Sequence, residues 1–141
     1  MTIGLAKTDA EIAECFGVMS QLRPHLESSL FVERVRRMER EGFQLAALRE
    51  NGVVQAVAGF RIYENLVTGR QMYVDDLVTD GATRSHGHGR TLLTWLADFA
   101  KADGCLAIEL DSGTHRKEAH RFYFRERMAI TAFHFIRRLD A

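Results

Sequence analysis

At 141 residues, 46% hydrophobic and 27% charged, the chain has the size and apolar content of a single folded domain over residues 1–141, which excludes a disordered polymer. Nineteen Lys and Arg balance nineteen Asp and Glu, so no global field recruits nucleic acid, and the basic run "RVRRMER" reads as a solvated helix face. No apolar run reaches the ~18 residues of a membrane span, no signal-peptide pattern opens the chain, and Cys15 and Cys105 lack metal spacing, so a reduced cytoplasmic protein without membrane association is expected.

After a short opening strand, Thr8 stands three residues before Glu11, the spacing of a capping box, and Ile12, Phe16, Met19 and Leu22 form one helical seam. Arg23 precedes the only proline, Pro24, and should leave the helix. A second helix carries Phe31, Val35 and Met38 and ends at Gly42. The period then changes to two: Asn51-Gly52 joins two strands in a hairpin, and a reversal at Thr68-Gly69 leads into a strand over about residues 71–79. Leu92, Leu93, Leu96 and Phe99 mark a helix ending at Gly104, and "CLAIELD" is a strand. Thr114 caps a further helix, "HRKEAHRFYFRERM", and "AITAFHFIRRL" closes the chain as a strand with Ile130, Ala132, His134 and Ile136 on one face. No linker or repeat interrupts this order. It predicts an α/β (α+β) fold with a mixed, mostly antiparallel twisted sheet flanked by helices, and a βαβ unit over residues 71–111.

The segment "RSHGHGR", Arg84 to Arg90, lies where a strand turns into a helix. Bare backbone there aims amide N–H groups and the positive helix end at one spot, which favours an anion such as phosphate, and Arg84 and Arg90 add charge. A nucleoside-triphosphate loop would need Gly where Arg84 stands and Lys where Arg90 stands; a dinucleotide loop would need Gly where Leu92 stands. A glycine turn that merely connects strand to helix stays open. No metal is expected: His115 and His120 are not an i, i+4 pair, and His86 and His88 only flank a glycine.

"RSHGHG" resembles the Arg-x-x-Gly-x-Gly/Ala loop of the GNAT N-acetyltransferase family, "YVDDLVT" resembles the strand ahead of it, and Ala119, Phe122 and Tyr123 resemble the family's penultimate helix. The resemblance covers essentially the whole chain and implies the acyl-CoA N-acyltransferase (GNAT) fold, acetyl-CoA (coenzyme A) as cofactor and an amine as acceptor. It implies that Arg84, Ser85, His86, Gly87, His88, Gly89, Arg90 and Arg116 bind the coenzyme, with the pyrophosphate on the amides from His86 to Arg90 and the pantetheine arm along Leu77, Val78 and Thr79, whose strand splays from its neighbour in the family. A backbone N–H near Leu77 or Val78 is then the oxyanion donor. Arg116 stands where the family often has an Asn near the pantetheine, and Arg127-Met128 replaces the usual Gly-Phe.

Two proton transfers need owners. Tyr123 is expected to be the acid, since a phenol with a pKa of about 10 stays protonated at neutral pH. Asp75 is expected to be the base; strand alternation would send Asp75 and Asp76 to opposite faces, with Glu109 and Asp111 as weaker candidates. The reaction expected is direct acetyl transfer to a primary amine of a small molecule or protein through a ternary complex. The alternative is a non-catalytic acyl-CoA-binding or sensor module. The first helices and "LRPHLESS", with Arg23, His25 and Glu27, would shape the acceptor cleft, and the resemblance makes a homodimer possible.

Overall fold

The computed structural model describes residues 1–140 and divides into two units, Met1–Leu110 and the residues from Asp111 onward. In the first unit, β1 (Thr2–Leu5) precedes a helix whose start is fixed by a complete capping box: Thr8 Oγ1 accepts from Glu11 N at 3.1 Å, and Glu11 Oε1 accepts from Thr8 N at 2.9 Å. The single helix expected here is two, α1 (Asp9–Glu14) and α2 (Phe16–Leu22). At Cys15 the backbone tightens to an i→i−3 bond, N–H to Ile12 O at 3.0 Å, which breaks the regular spacing. Arg23, ahead of Pro24, sits at φ −121°, ψ 71°, outside the helical region as expected.

Next come α3 (Ser28–Glu39), β2 (Gln44–Glu50), β3 (Val53–Asn65) and β4 (Gly69–Thr79). Asn51 and Gly52 at the β2–β3 turn have φ 51° and 77°, the positive pair a two-residue hairpin turn requires. A 3-10 turn over Gly81–Thr83 leads to α4 (His88–Ala102), and β5 (Ala107–Leu110) ends the unit. The sheet runs β1-β2-β3-β4-β5; every pair is antiparallel except β4–β5.

Each sheet face has its own core. Ile12, Cys15, Met19, Phe31 and Val35 from α1–α3 pack with Phe43, Val57 and Val78; Leu92, Leu96 and Ala100 of α4 pack with Phe60, Met72 and Val74. Parallel pairing of β4 with β5 extends only from Gln71↔Ala107 to Val74↔Leu110. From Asp76 to Thr79, β4 therefore has a ladder partner on its β3 side alone among the described residues.

In the second unit, α5 (Lys117–Arg125) begins three residues after Thr114, with Arg116 at its N-cap and no side-chain cap, so Thr114 is not the cap the sequence suggested. The expected closing strand does not form: the segment 129–140 has no helix or strand, and it is exposed throughout. A strand needs a ladder partner for its N–H and C=O groups, and this segment has none within its unit. Among the described residues, no helix is long and apolar enough to cross a membrane.

Candidate active site

Two residues of the glycine loop have positive φ, Ser85 at 74° and Gly87 at 80°. Gly87, the N-cap of α4, has φ 80°, ψ 9°, a left-handed conformation that a side chain opposes, and it offers no capping side chain. The first bond of the helix is Thr91 N–H to Gly87 O at 3.0 Å, so the amides of His88 and Gly89 precede the intrahelical ladder. Arg84, Ser85, His86, Gly87 and Arg90 are exposed, whereas the His88 side chain is 5% exposed, its Nε2 3.6 Å from a Glu50 carboxylate oxygen. His88 thus anchors the loop by its ring and offers the surface only its backbone.

Two glutamines that the sequence reading missed pin the approach to this loop. Gln21 of α2 accepts from Gly81 N at 2.8 Å and donates to Asp80 Oδ1 at 3.2 Å. Gln55 of β3 accepts from Asp80 N at 2.8 Å through its backbone, and from Thr83 Oγ1 at 2.9 Å through its side chain. The Ala82 amide and then Gln21 hold the Asp80 carboxyl below its ordinary pKa. Nothing local in the sequence marks a glutamine as a strut; it depends on α2 meeting the end of β4.

The departure of β4 from β5 coincides with a bulge. Gly59 pairs with Asp76 and Phe60 with Val74, leaving Asp75 as the extra residue of β4. The bulge resets the alternation: Val78 belongs to the core under α1–α3, while Leu77, Val74 and Met72 belong to the core under α4. Asp75 and Asp76 consequently do not project to opposite faces, which corrects the expectation from a regular strand. Arg61 grips Asp75 through both carboxylate oxygens, at 2.7 and 3.0 Å. Arg23, just past α2, reaches across both residues, its Nε to Asp76 Oδ1 at 2.9 Å and its Nη2 to Asp75 O at 3.0 Å. Burial raises the Asp76 pKa, and the Arg23 pair only partly opposes this.

Gly59 makes the arrangement possible. A Cβ there would lie 2.5 Å from Phe43 Cζ and 2.6 Å from Asp76 Oδ2. A glycine inside the strand pattern "AVAGFRIY" is the one sequence signal that could have revealed the bulge.

Tyr123 belongs to α5 in the second unit, half-buried beside Phe122, with ring centroids 5.4 Å apart. Burial pushes its pKa above the ordinary phenol value, and charge and a hydrogen bond from Arg116 pull the other way. Arg116 and Tyr123 are therefore brought together, while Glu109 is occupied by Thr68 Oγ1 at 3.3 Å and Asp111 by His134 Nδ1 at 2.8 Å. No cluster of three or more His, Cys, Asp or Glu suited to a metal occurs among the described residues.

Residues 8–128 match the acetyltransferase (GNAT) family. The uncharacterized N-acetyltransferase YhdJ of Bacillus subtilis (strain 168) is 36% identical over 114 residues, 80% of each chain. The chain belongs to the GNAT family. Solved structures share the fold: ribosomal-protein-alanine N-acetyltransferase from Brucella melitensis biovar Abortus 2308 aligns with a TM-score of 0.84 at 17% identity over 99% of this chain and 100% of that one. The aminoglycoside N-acetyltransferase AAC(6')-Iy in complex with CoA aligns with a TM-score of 0.85 at 12% identity over 99% and 96%. This GNAT protein is an acetyltransferase enzyme whose cosubstrate is an acyl-CoA and whose acceptor is an amine. The residues present fit such a cosubstrate: α4 opens on amides ahead of its ladder, and the adjoining stretch of β4 lacks a partner on the β5 side.

Proposed function

We propose that the chain moves an acetyl group from acetyl-CoA to a primary amine of a small molecule or protein, in one ternary complex. The observation that carries this is the joining of two backbone donor surfaces by a pinned turn: the β4 edge from Asp76 to Thr79, and the start of α4 at Gly87. Amides and side chains from Arg84 through Ser85, His86, Gly87, His88 and Gly89 to Arg90 take the pyrophosphate, as helix N-termini favour anions. Leu77, Val78 and Thr79 offer backbone groups to the pantetheine arm, with a Leu77 or Val78 amide stabilising the oxyanion. Arg116 flanks Tyr123 in place of the usual Asn.

The coenzyme supplies an activated thioester. When the acceptor nitrogen attacks its carbonyl carbon, the C–S bond breaks, the Tyr123 hydroxyl gives its proton to the leaving sulfur, and a carboxylate takes the proton lost by the amine. The Tyr123 phenol is protonated at neutral pH, as an acid requires, and burial raises its pKa further. Asp75 is one candidate base, acting directly or through water. Its neighbour Asp76 is a second candidate: burial raises its pKa, and it is held by one hydrogen bond from Arg23 where Asp75 is held by two from Arg61. The same proposal includes a single domain over residues 1–141, a cytoplasmic location, a homodimer, and no nucleic-acid or membrane partner.

The test is thiol release. Free coenzyme A should form from acetyl-CoA in the presence of an amine panel, and Tyr123→Phe should lower kcat about 100-fold or more, the contribution of a general acid. If coenzyme A raises Tm while no amine yields thiol, the fold serves as a binding module and the catalytic proposal fails.

A further inference from the structure

The bulge on β4 is where this strand leaves β5, so whatever holds the bulge sets the course of the edge beyond it. Parallel pairing ends at Val74↔Leu110; Asp75 then has no partner on β3, and Asp76 pairs with Gly59. A bulge interrupts the ladder at its extra residue, so regular pairing does not fix the peptide that joins Asp75 to Asp76. Three residues act on it. Gly59 gives the Asp76 side chain room, and Arg61 holds the Asp75 carboxylate through both oxygens. Arg23 differs from both, because it binds main chain and side chain together: Nη2 donates to Asp75 O at 3.0 Å and Nε to Asp76 Oδ1 at 2.9 Å.

Nε and Nη2 belong to one rigid, planar fork, which keeps the two oxygens it binds at a fixed spacing. Across a planar trans peptide the C=O of one residue and the N–H of the next point in opposite directions. Fixing Asp75 O therefore fixes the direction of the Asp76 amide, and with it the start of the edge that Leu77 and Val78 continue. Arg23 can do this because it stands outside the helix, at φ −121° and ψ 71°, as the cap of α2. Its side chain is 42% exposed, so lysine or glutamine fits there without burying a new group, whereas the Asp76 side chain that it holds is only 13% exposed.

We propose that Arg23 is a positioning residue for acetyl transfer: its guanidinium fork holds the peptide between Asp75 and Asp76, and so aims the backbone edge of β4 at the thioester. The proposal rests on the acetyl-transfer reading, within which Arg23 acts through β4 rather than on the reacting atoms. Charge alone does not meet this need. A lysine keeps a cation beside Asp76, yet it is a point charge on a flexible stem, with no fork to fix the spacing of carbonyl and carboxylate.

Arg23→Lys and Arg23→Gln are compared with the wild-type chain by two readouts. Amide hydrogen exchange on the free chain requires no reaction: both variants should exchange faster at residues 76–78 while α4 keeps its protection. Thiol release is then followed with acetyl-CoA and the panel amine that the wild-type chain turns over fastest. In both variants kcat should fall about 10- to 100-fold, since a misplacement of about 1 Å costs up to about 100-fold in rate. The KM for the amine and the calorimetric Kd for coenzyme A should stay close to wild type, which general loosening of the fold would not allow. Unchanged exchange at residues 76–78 overturns the proposal, as does faster exchange throughout the sheet or a kcat of Arg23→Gln equal to wild type. An Arg23→Lys chain equal to wild type overturns it too, by assigning the effect to charge. Should Arg23→Gln lose its far-UV spectrum, Arg23→Lys decides under the same criteria. A wild-type chain that yields no thiol refutes the transfer reading itself and removes the step Arg23 would serve; an active wild-type chain beside unaffected variants refutes the role of Arg23 alone.

Discussion

Replacing Gly87 by alanine isolates the part of the loop that depends on backbone conformation. The left-handed φ of 80° costs a non-glycine residue roughly 1–2 kcal/mol, and a Cβ at this position meets nothing within 4 Å, so steric clash contributes nothing. That cost must surface in one of two places. If the free protein keeps the turn, urea unfolding shows about 1–2 kcal/mol less stability and the affinity for coenzyme A is unchanged. If the turn relaxes and reforms only around the ligand, stability is retained and the calorimetric Kd rises about 5- to 30-fold, since 1.4 kcal/mol is about tenfold. Gly87→Asn, whose side chain tolerates the left-handed region, should recover most of either loss. Variants equal to wild type in both measurements would refute the assignment of this turn as the anion-binding element.

Gly59→Ala should destabilise by about 1–3 kcal/mol in urea titration, because its Cβ would overlap the buried Phe43 ring, and combining it with Phe43→Leu should return part of the loss. Asp76→Asn tests the carboxylate that burial disfavours. With the folded pKa raised above 3.8, the carboxylate opposes folding at neutral pH, and this penalty is lost as pH falls from the raised value to 3.8. Thermal melts should show the Asn variant gaining on wild type as pH rises from 3.8 through the raised pKa, with acetyl transfer reduced across the same range. Gln21→Ala removes the acceptor for the Gly81 amide and should raise KM for acetyl-CoA severalfold while leaving kcat nearly unchanged in steady-state assays. Because that site is exposed, its stability loss should stay within about 0.5–1.5 kcal/mol.

What the sequence made legible is what neighbouring residues decide between themselves. The capping box needs only Thr8 and Glu11; the hairpin needs only the positive φ that Asn51 and Gly52 accept; the α4 start needs only glycine where a side chain would strain the turn. Each is a signal contained in four or five residues. The pins on the loop were not legible, because Gln21 and Asp80 are 59 residues apart and a glutamine carries no mark of its partner. Nor was the absence of the closing strand: an alternating apolar run states that it can pair, and it is silent on whether an edge meets it.

The placement of the two aspartates shows how one nonlocal irregularity reverses a local rule. Alternation predicts opposite faces for Asp75 and Asp76, and it holds on β3, where Ala56, Ala58 and Phe60 all enter the core under α4. On β4 it fails at Asp75, since a bulge spends one residue without a partner and shifts every later side chain by one step. Two carboxylates then crowd toward one side, and each would repel the other were it not matched by its own guanidinium, Arg61 for Asp75 and Arg23 for Asp76. Arg23 lies beyond α2 and owes its position to the residue that follows it, Pro24, which forces the chain out of the helix at that point. The electrostatics beside the proposed reaction centre therefore rest on a proline, a glycine on β3 and a bulge on β4, no two of which are adjacent in the chain.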